Sequence, residues 1–184
     1  MSMRISEGGT NLTDRNQYIR MCIAKTLIQL MESKSLDDIT ITELVKKANV
    51  SRMTFYKYYK SKQAVLSDYM YEIVNDYVKD TKKRTDVGRF HEFRRICHCF
   101  EFFKQYSSLI MVLINANMYS VIINAVNNYM DTYVLPKTQY SRYELYYYGG
   151  ALCNTYIKWI ESGMIETPEE IAKIIYRYRV KCRK

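Results

Sequence analysis

Residues 39–62 read Ile39-Thr-Ile-Thr-Glu-Leu-Val-Lys-Lys-Ala-Asn-Val-Ser-Arg-Met-Thr-Phe-Tyr-Lys-Tyr-Tyr-Lys-Ser-Lys62, and two helix starts are written into that stretch. Thr40 with Glu43 three residues on is a capping box: the Thr hydroxyl meets the third amide of the helix while the carboxylate reaches back. The helix it opens carries Ile41, Leu44, Val45 and Ala48 at i, i+3, i+4 and i+7, a single apolar face. Asn49 ends it, a residue that tolerates the left-handed backbone of a tight turn. Ser51 then caps a third, short helix whose Phe55 and Tyr59 point inward, leaving Arg52, Met53, Tyr56, Lys57 and Lys60 outward. Two short helices joined by a tight turn, the second with a basic and aromatic outer face, make a helix-turn-helix.

Ahead of this pair, Ile19, Cys22, Ile23, Thr26, Leu27, Leu30 and Met31 recur at three- and four-residue steps, which predicts an amphipathic first helix that Asp14 could cap. The stretch Ser33–Asp38 breaks that period. Charge concentrates in the same region: Lys46–Lys62 holds six basic residues and no acidic one in a chain whose net charge is +9. A basic excess makes nucleic acid or an anionic membrane the first partners to test. A recognition helix in the major groove can read base edges, while amides at helix starts and Lys, Thr and Tyr side chains hold phosphates.

The Val-Ser-x-x-Thr-Phe-Tyr core followed by Tyr-Lys-Ser-Lys resembles the N-terminal DNA-binding domain of TetR-family transcriptional regulators, over about 50 residues from near Arg15 to Leu66. Asn49 and Met53 stand where glycine is frequent in that family. The resemblance implies that Thr54 and Tyr56 contact phosphates or bases from the third helix. It implies that Arg52, Met53 and Lys57 face base edges or the flanking backbone, with Ser51 at the start of that helix. Thr40 and Thr42 would open the second helix beside a phosphate, and Lys62, with Lys60, would grip the backbone at the start of the fourth.

The 184 residues contain only six glycines and two prolines and are 48% apolar, which points to an all-α chain with a real core. A head over residues 1–62 and a larger helical body over residues 63–184 are expected, about nine helices in all. A fourth helix runs from Ser61 past Val78 to the basic patch Lys82-Lys-Arg84. Further helical patterns cover roughly Phe90–Tyr106, Ser108–Ala116, Tyr119–Val134, Tyr143–Ser162 and Pro168–Lys181. Gly163 stops one of these, and Thr167, Pro168 and Glu170 start the last with an N-cap, an N1 proline and a capping box. The stretch from Ser162 to Glu170 is similar to the hairpin of the dihydroxyacetone kinase regulator branch of TetR-like proteins.

TetR-like proteins pair through the last two helices, and the resemblance implies a homodimer made there. Tyr148-Gly-Gly-Ala151 permits close backbone approach, and Trp159, Ile160, Ile171, Ile174 and Ile175 supply apolar area. A dimer also follows from recognition itself, because one helix covers few base pairs and specificity needs two half-sites ~34–36 Å apart or a multiple. The function expected is a DNA-binding regulator, a repressor released from a palindromic double-stranded operator by a small-molecule effector. The alternative is a helical adaptor with the same head that acts through protein partners. Nineteen tyrosines and ten methionines could line an effector pocket or simply fill the core.

Other classes find little support. The chain lacks an apolar run of the ~18 residues that a membrane helix needs and an apolar leader in its first 14 residues, so a cytoplasmic protein is expected. Five scattered cysteines (Cys22, Cys97, Cys99, Cys153 and Cys182) suit a reducing compartment rather than a disulfide framework. Cys97 and Cys99 fall about 200° apart around a helix, and His91 and His98, expected on that same helix, span two turns, so no metal site is expected. Gly-rich phosphate loops, H-E-x-x-H and nucleophile elbows are absent from the sequence, so neither an enzyme nor a cofactor is expected.

Overall fold

A computed structural model describes residues 8–181, with side chains from Asp14 to Tyr178. Expectations for the N-terminal leader, Cys182 and the last part of the basic tail Arg177–Lys184 therefore lie outside the described residues. The helices are α1 (Gly8–Met31), α2 (Ile41–Lys47), α3 (Arg52–Tyr58), α4 (Lys62–Lys83), α5 (Phe93–Lys104), α6 (Ser107–Asn115), α7 (Tyr119–Tyr129), α8 (Arg142–Glu161) and α9 (Pro168–Lys181). No strand occurs among the described residues, and the all-α expectation holds.

Two compact units divide between Tyr69 and Met70, inside α4 rather than ahead of it at residue 62. The physical reason is that the first turns of α4 carry Val65 and Leu66, both fully buried, into the core of the first unit. That core is completed by Ile23 and Leu27 of α1, Ile39, Leu44 of α2 and Phe55 of α3, each at most 1% exposed. Asp14 is not the cap of α1, because the helix begins six residues earlier, at Gly8.

In the second unit, α5 packs along α9, and Ile96 and Phe100 meet Trp159, Ile171 and Ala172. The Trp159 indole donates to the Glu166 carbonyl at 2.8 Å, fastening the end of α8 to the loop before α9. Gly163 turns that loop at φ +83°, a conformation that suits glycine. Thr167 and Glu170 then form both halves of a capping box: the Thr167 amide donates to Glu170 Oε2 at 2.8 Å, and the Glu170 amide donates to Thr167 Oγ1 at 3.2 Å. A second full box, Ser141 with Glu144, starts α8.

The expected helix over Tyr119–Val134 divides. After Tyr129 the backbone widens into a π turn over Met130–Val134 and tightens into a 3-10 turn over Leu135–Lys137. Pro136 lacks the amide that an α-helix would need there. Helix α5 likewise starts at Phe93 rather than Phe90, which leaves His91 in the preceding turn and not on one helix with His98.

Trp159, Ile160 and Ile171 are 2%, 7% and 8% exposed within a single chain, so they are core of the body and not free apolar surface. Helix α5 covers Trp159 and Ile171, which an i, i+4 pattern on α8 and α9 cannot reveal. What those two helices leave open is Tyr143, Tyr147, Ala151 and Ile174, with Tyr178 beside them.

Candidate functional site

The α2–α3 pair is built by local chemistry. Thr40 is the N-cap of α2, its hydroxyl accepting from the Glu43 amide at 3.1 Å. The other half of the expected box is replaced: the Glu43 carboxylate pairs with Lys34 from the loop after α1. A lysine beside the carboxylate offers a charge-assisted bond stronger than the neutral amide can make. Asn49 sits at φ +53° and makes the turn, as expected of a residue that accepts the left-handed region. Ser51 caps α3, accepting from the Thr54 amide at 2.9 Å, and its Oγ lies 2.8 Å from Thr54 Oγ1.

Inside α3, Phe55 is fully buried, and Tyr59 just beyond the helix is 5% exposed. These two rings hold the helix on the core, and Arg52, Met53, Tyr56 and Lys57 face outward in consequence. Arg52, Met53, Tyr56, Lys57 and Lys60 are all exposed, Met53 at 85%. Thr40, Thr42 and Ser51 are exposed at the starts of α2 and α3, while Thr54 is half-buried. Tyr56 leans edge-on against Phe55, ring centroids 5.4 Å apart, and the Lys57 ammonium lies 5.3 Å from the centre of the Tyr58 ring. The outer face of α3 therefore presents cations and aromatic edges on a helix whose inner face is immobilised.

Lys62 has a different environment from the other candidates. Its ammonium donates to the carbonyls of Leu36 and, at 2.6 Å, Ile39, with Asp37 at 3.4 Å. The side chain thus fastens the α1–α2 loop to the start of α4. Sequence offered no signal for this, because backbone carbonyls accept from any lysine that reaches them.

The body contains two neighbouring cavities that share Phe90, Arg95 and Tyr129 as walls. The smaller, about 110 Å³, is apolar and lies among Met70, Tyr77, Met130, Cys153 and Tyr156. The larger, about 800 Å³, is walled by Lys82, Arg89, Lys137, Thr81 and Thr138 among others. The tyrosines and methionines thus serve both readings: Tyr77, 4% exposed, is core and cavity wall at once. The sequence signal for Arg95 is a cation three residues before His98 and four before Cys99, on the side of α5 that both share.

Burial sets the chemistry of the thiols. It pushes Cys153 up to about 11 and Cys99 up to about 12, and it raises Cys97 to about 11 together with the neighbouring Glu101. Protonated thiols are poor nucleophiles and poor metal ligands. His98 is 3% exposed, its Nε2 lies 2.6 Å from an Asp80 carboxylate oxygen, and its ring stacks on Tyr77. This pair ties α5 to α4. Among the described residues, no group of three or more His, Cys, Asp and Glu is placed to hold a metal ion, and no helix is long and apolar enough to cross a membrane.

Comparison with known proteins gives these features a context. Residues 23–69 match the family described as bacterial regulatory proteins, tetR family, and residues 91–179 match one described as transcriptional regulator C-terminal region. The HTH-type transcriptional regulator EthR of Mycobacterium tuberculosis is 42% identical over 55 residues, 30% of this chain and 26% of that protein. The chain spans about a quarter of the length of the curated relatives it matches. In fold it is similar to a protein from Listeria innocua, with TM-score 0.78 and 14% identity over 100% of this chain and 97% of the other. It is also similar to the dihydroxyacetone kinase operon activator DhaS, with TM-score 0.56 and 18% identity over 89% and 94% of the two chains. At such identities these two likenesses concern the fold.

Proposed function

Since this chain belongs to the TetR family of transcriptional regulators, we propose that it is a homodimeric repressor that holds a palindromic operator with its head and releases it when a small molecule enters its body. The observation that carries the DNA reading is the division of α3 between a buried Phe55 and the exposed Arg52, Met53, Tyr56 and Lys57. A helix fixed from behind, with cations and aromatic groups in front, suits insertion into a major groove.

Within this reading, Arg52 and Lys57 take phosphates or guanine edges, Tyr56 and Thr54 take phosphates, and Met53 offers an apolar contact to a thymine methyl. Thr40, Thr42, Ser51 and Lys60 position the backbone. Lys62 acts indirectly, by holding the loop ahead of α2. Dimerisation uses the face of α8 and α9 that a single chain leaves open, Tyr143, Tyr147, Gly150, Ala151 and Ile174. Release is a population shift: a ligand that prefers the body conformation with the heads spread weakens operator binding by that preference alone. A dimer bound in this way obstructs polymerase, so it represses.

The test is to select sheared genomic DNA on the purified protein at moderate salt and to sequence what is retained. A sharply enriched inverted repeat is expected. Tyr56→Ala should weaken binding to that repeat at least about tenfold, or ~1.4 kcal/mol, with the dimer intact by analytical ultracentrifugation. Uniform retention would place the head's partner among proteins instead, and undiminished affinity in Tyr56→Ala would show that α3 is not the helix that contacts DNA.

A further inference from the structure

We propose that the body binds a compact amphipathic anion, its ring-sized apolar part in the smaller cavity and its carboxylate or phosphate held by Arg95 and Lys137 in the larger one. The effect of such a molecule on DNA rests on the function proposed above; its binding does not.

Arg95 is the one charged residue among the three that line both spaces, with Phe90 and Tyr129. One of its terminal nitrogens donates to the Gly88 carbonyl at 2.8 Å, whereas its Nε is buried and has no hydrogen-bond partner. The guanidinium has no carboxylate partner among the described residues. It is also the single charged group among the walls of the smaller cavity. A half-buried guanidinium with a buried, unpaired Nε and no carboxylate partner is an arrangement that an incoming anion improves.

The larger cavity repeats the signal. The Thr81 and Thr138 hydroxyl oxygens on its wall are buried without a hydrogen-bond partner. Lys82, Arg89 and Lys137 add positive charge to Arg95. The one carboxylate on the wall, Glu144, already accepts from the Ser141 amide at 2.7 Å. Hydroxyl donors and a cluster of cations with one committed acid suit an anionic head and repel a cationic one.

Size sets the other end of the molecule. The apolar cavity, about 110 Å³, is of the same order as the ~150 Å³ cavity known to hold benzene. It takes a ring or a chain of a few carbons, and a long acyl chain does not fit.

Titration calorimetry on the 184-residue chain tests this with benzoate, phenyl phosphate and hexanoate against the neutral benzamide. At least one anion should bind ten or more times tighter than benzamide, and the tighter of benzoate and phenyl phosphate names the head group. Lys137→Gln, at an exposed position, should reduce the preference at least threefold and Arg95→Gln should abolish it. Dodecanoate should bind no tighter than hexanoate. Equal affinities for benzoate and benzamide, or no binding of any probe by a chain that melts cooperatively, would overturn the proposal. Binding with those preferences but without operator release would leave it standing and remove the effector mechanism instead.

Discussion

Arg20 of α1 grips Asp68 of α4 across 48 residues of sequence, its Nε donating at 2.9 Å and its terminal Nη2 to the second carboxylate oxygen. Tyr59, which ends α3, donates its hydroxyl to the same carboxylate at 2.6 Å. Burial, with Asp68 beside it, holds the Tyr59 phenol far above the usual range, and the hydrogen bond to Asp68 raises Arg20. Three helices of the head therefore converge on one carboxylate, and the setting of α3 depends on it.

Asp68→Ala should destabilise the head by about 1–2 kcal/mol, a figure kept modest because the paired side chains are about 30% exposed. DNA affinity should fall in parallel, although Asp68 faces no groove. Hydrogen exchange of the α3 amides is the measurement, since the single tryptophan, Trp159, reports on the body. Unchanged α3 protection in Asp68→Ala would show that the carboxylate does not set the helix.

At the turn between α2 and α3, the left-handed backbone of Asn49 separates two substitutions. Asn49→Ala should cost ~1–2 kcal/mol, because a Cβ without a compensating local hydrogen bond is strained there. Asn49→Gly should stay within about 0.5 kcal/mol of the parent, as glycine accepts that conformation freely. Urea denaturation followed by circular dichroism distinguishes them, and equal stabilities would contradict the argument.

Two adjacent glycines of α8 behave oppositely. A Cβ on Gly149 would come within 2.9 Å of Met130 Cε and 3.0 Å of Val126 Cγ1, whereas one on Gly150 meets nothing within 4 Å. Gly150→Ala should stabilise a single chain by ~0.5–1 kcal/mol through helix propensity. Gly149→Ala should lose that gain to crowding, which costs ~1–3 kcal/mol. If the open face of α8 is the dimer interface, Gly150→Ala should also raise the dimer dissociation constant, which sedimentation equilibrium reads. A tighter or unchanged dimer would move the interface elsewhere.

Alkaline pH should weaken the body through its thiols. The fold holds Cys153 neutral up to about 11, while in the unfolded chain it ionises near ~8.5. The folded value is the higher one, so this contribution is complete below ~8.5 and is lost as pH rises toward the folded value. Cys97, Cys99 and Tyr129 shift in the same direction, so the comparison has to be made against Cys153→Ala. Melting curves from pH 7 to 11 should fall less steeply for that variant. Parallel curves would show that the thiol stays protonated in both states.

The sequence by itself determined the head and the order of helices, because the signals that start and stop a helix act over three or four residues. Ser51 and Thr167 cap where their spacing to Thr54 and Glu170 places them, Asn49 and Gly163 turn the chain, and Phe55 and Tyr59, four residues apart, face inward together. Tertiary structure decided whatever depends on which element arrives from far along the chain. Glu43 met Lys34 instead of its own cap, and Lys62 met the carbonyls of Leu36 and Ile39. Trp159 and Ile171, apolar at the right spacing to be an exposed seam, were covered by α5, which left Tyr143, Tyr147 and Ile174 outside. Periodicity marks a face as apolar, but burial is a property of two surfaces. The second surface, like the cavity that opens beside Arg95, exists only once distant helices have packed.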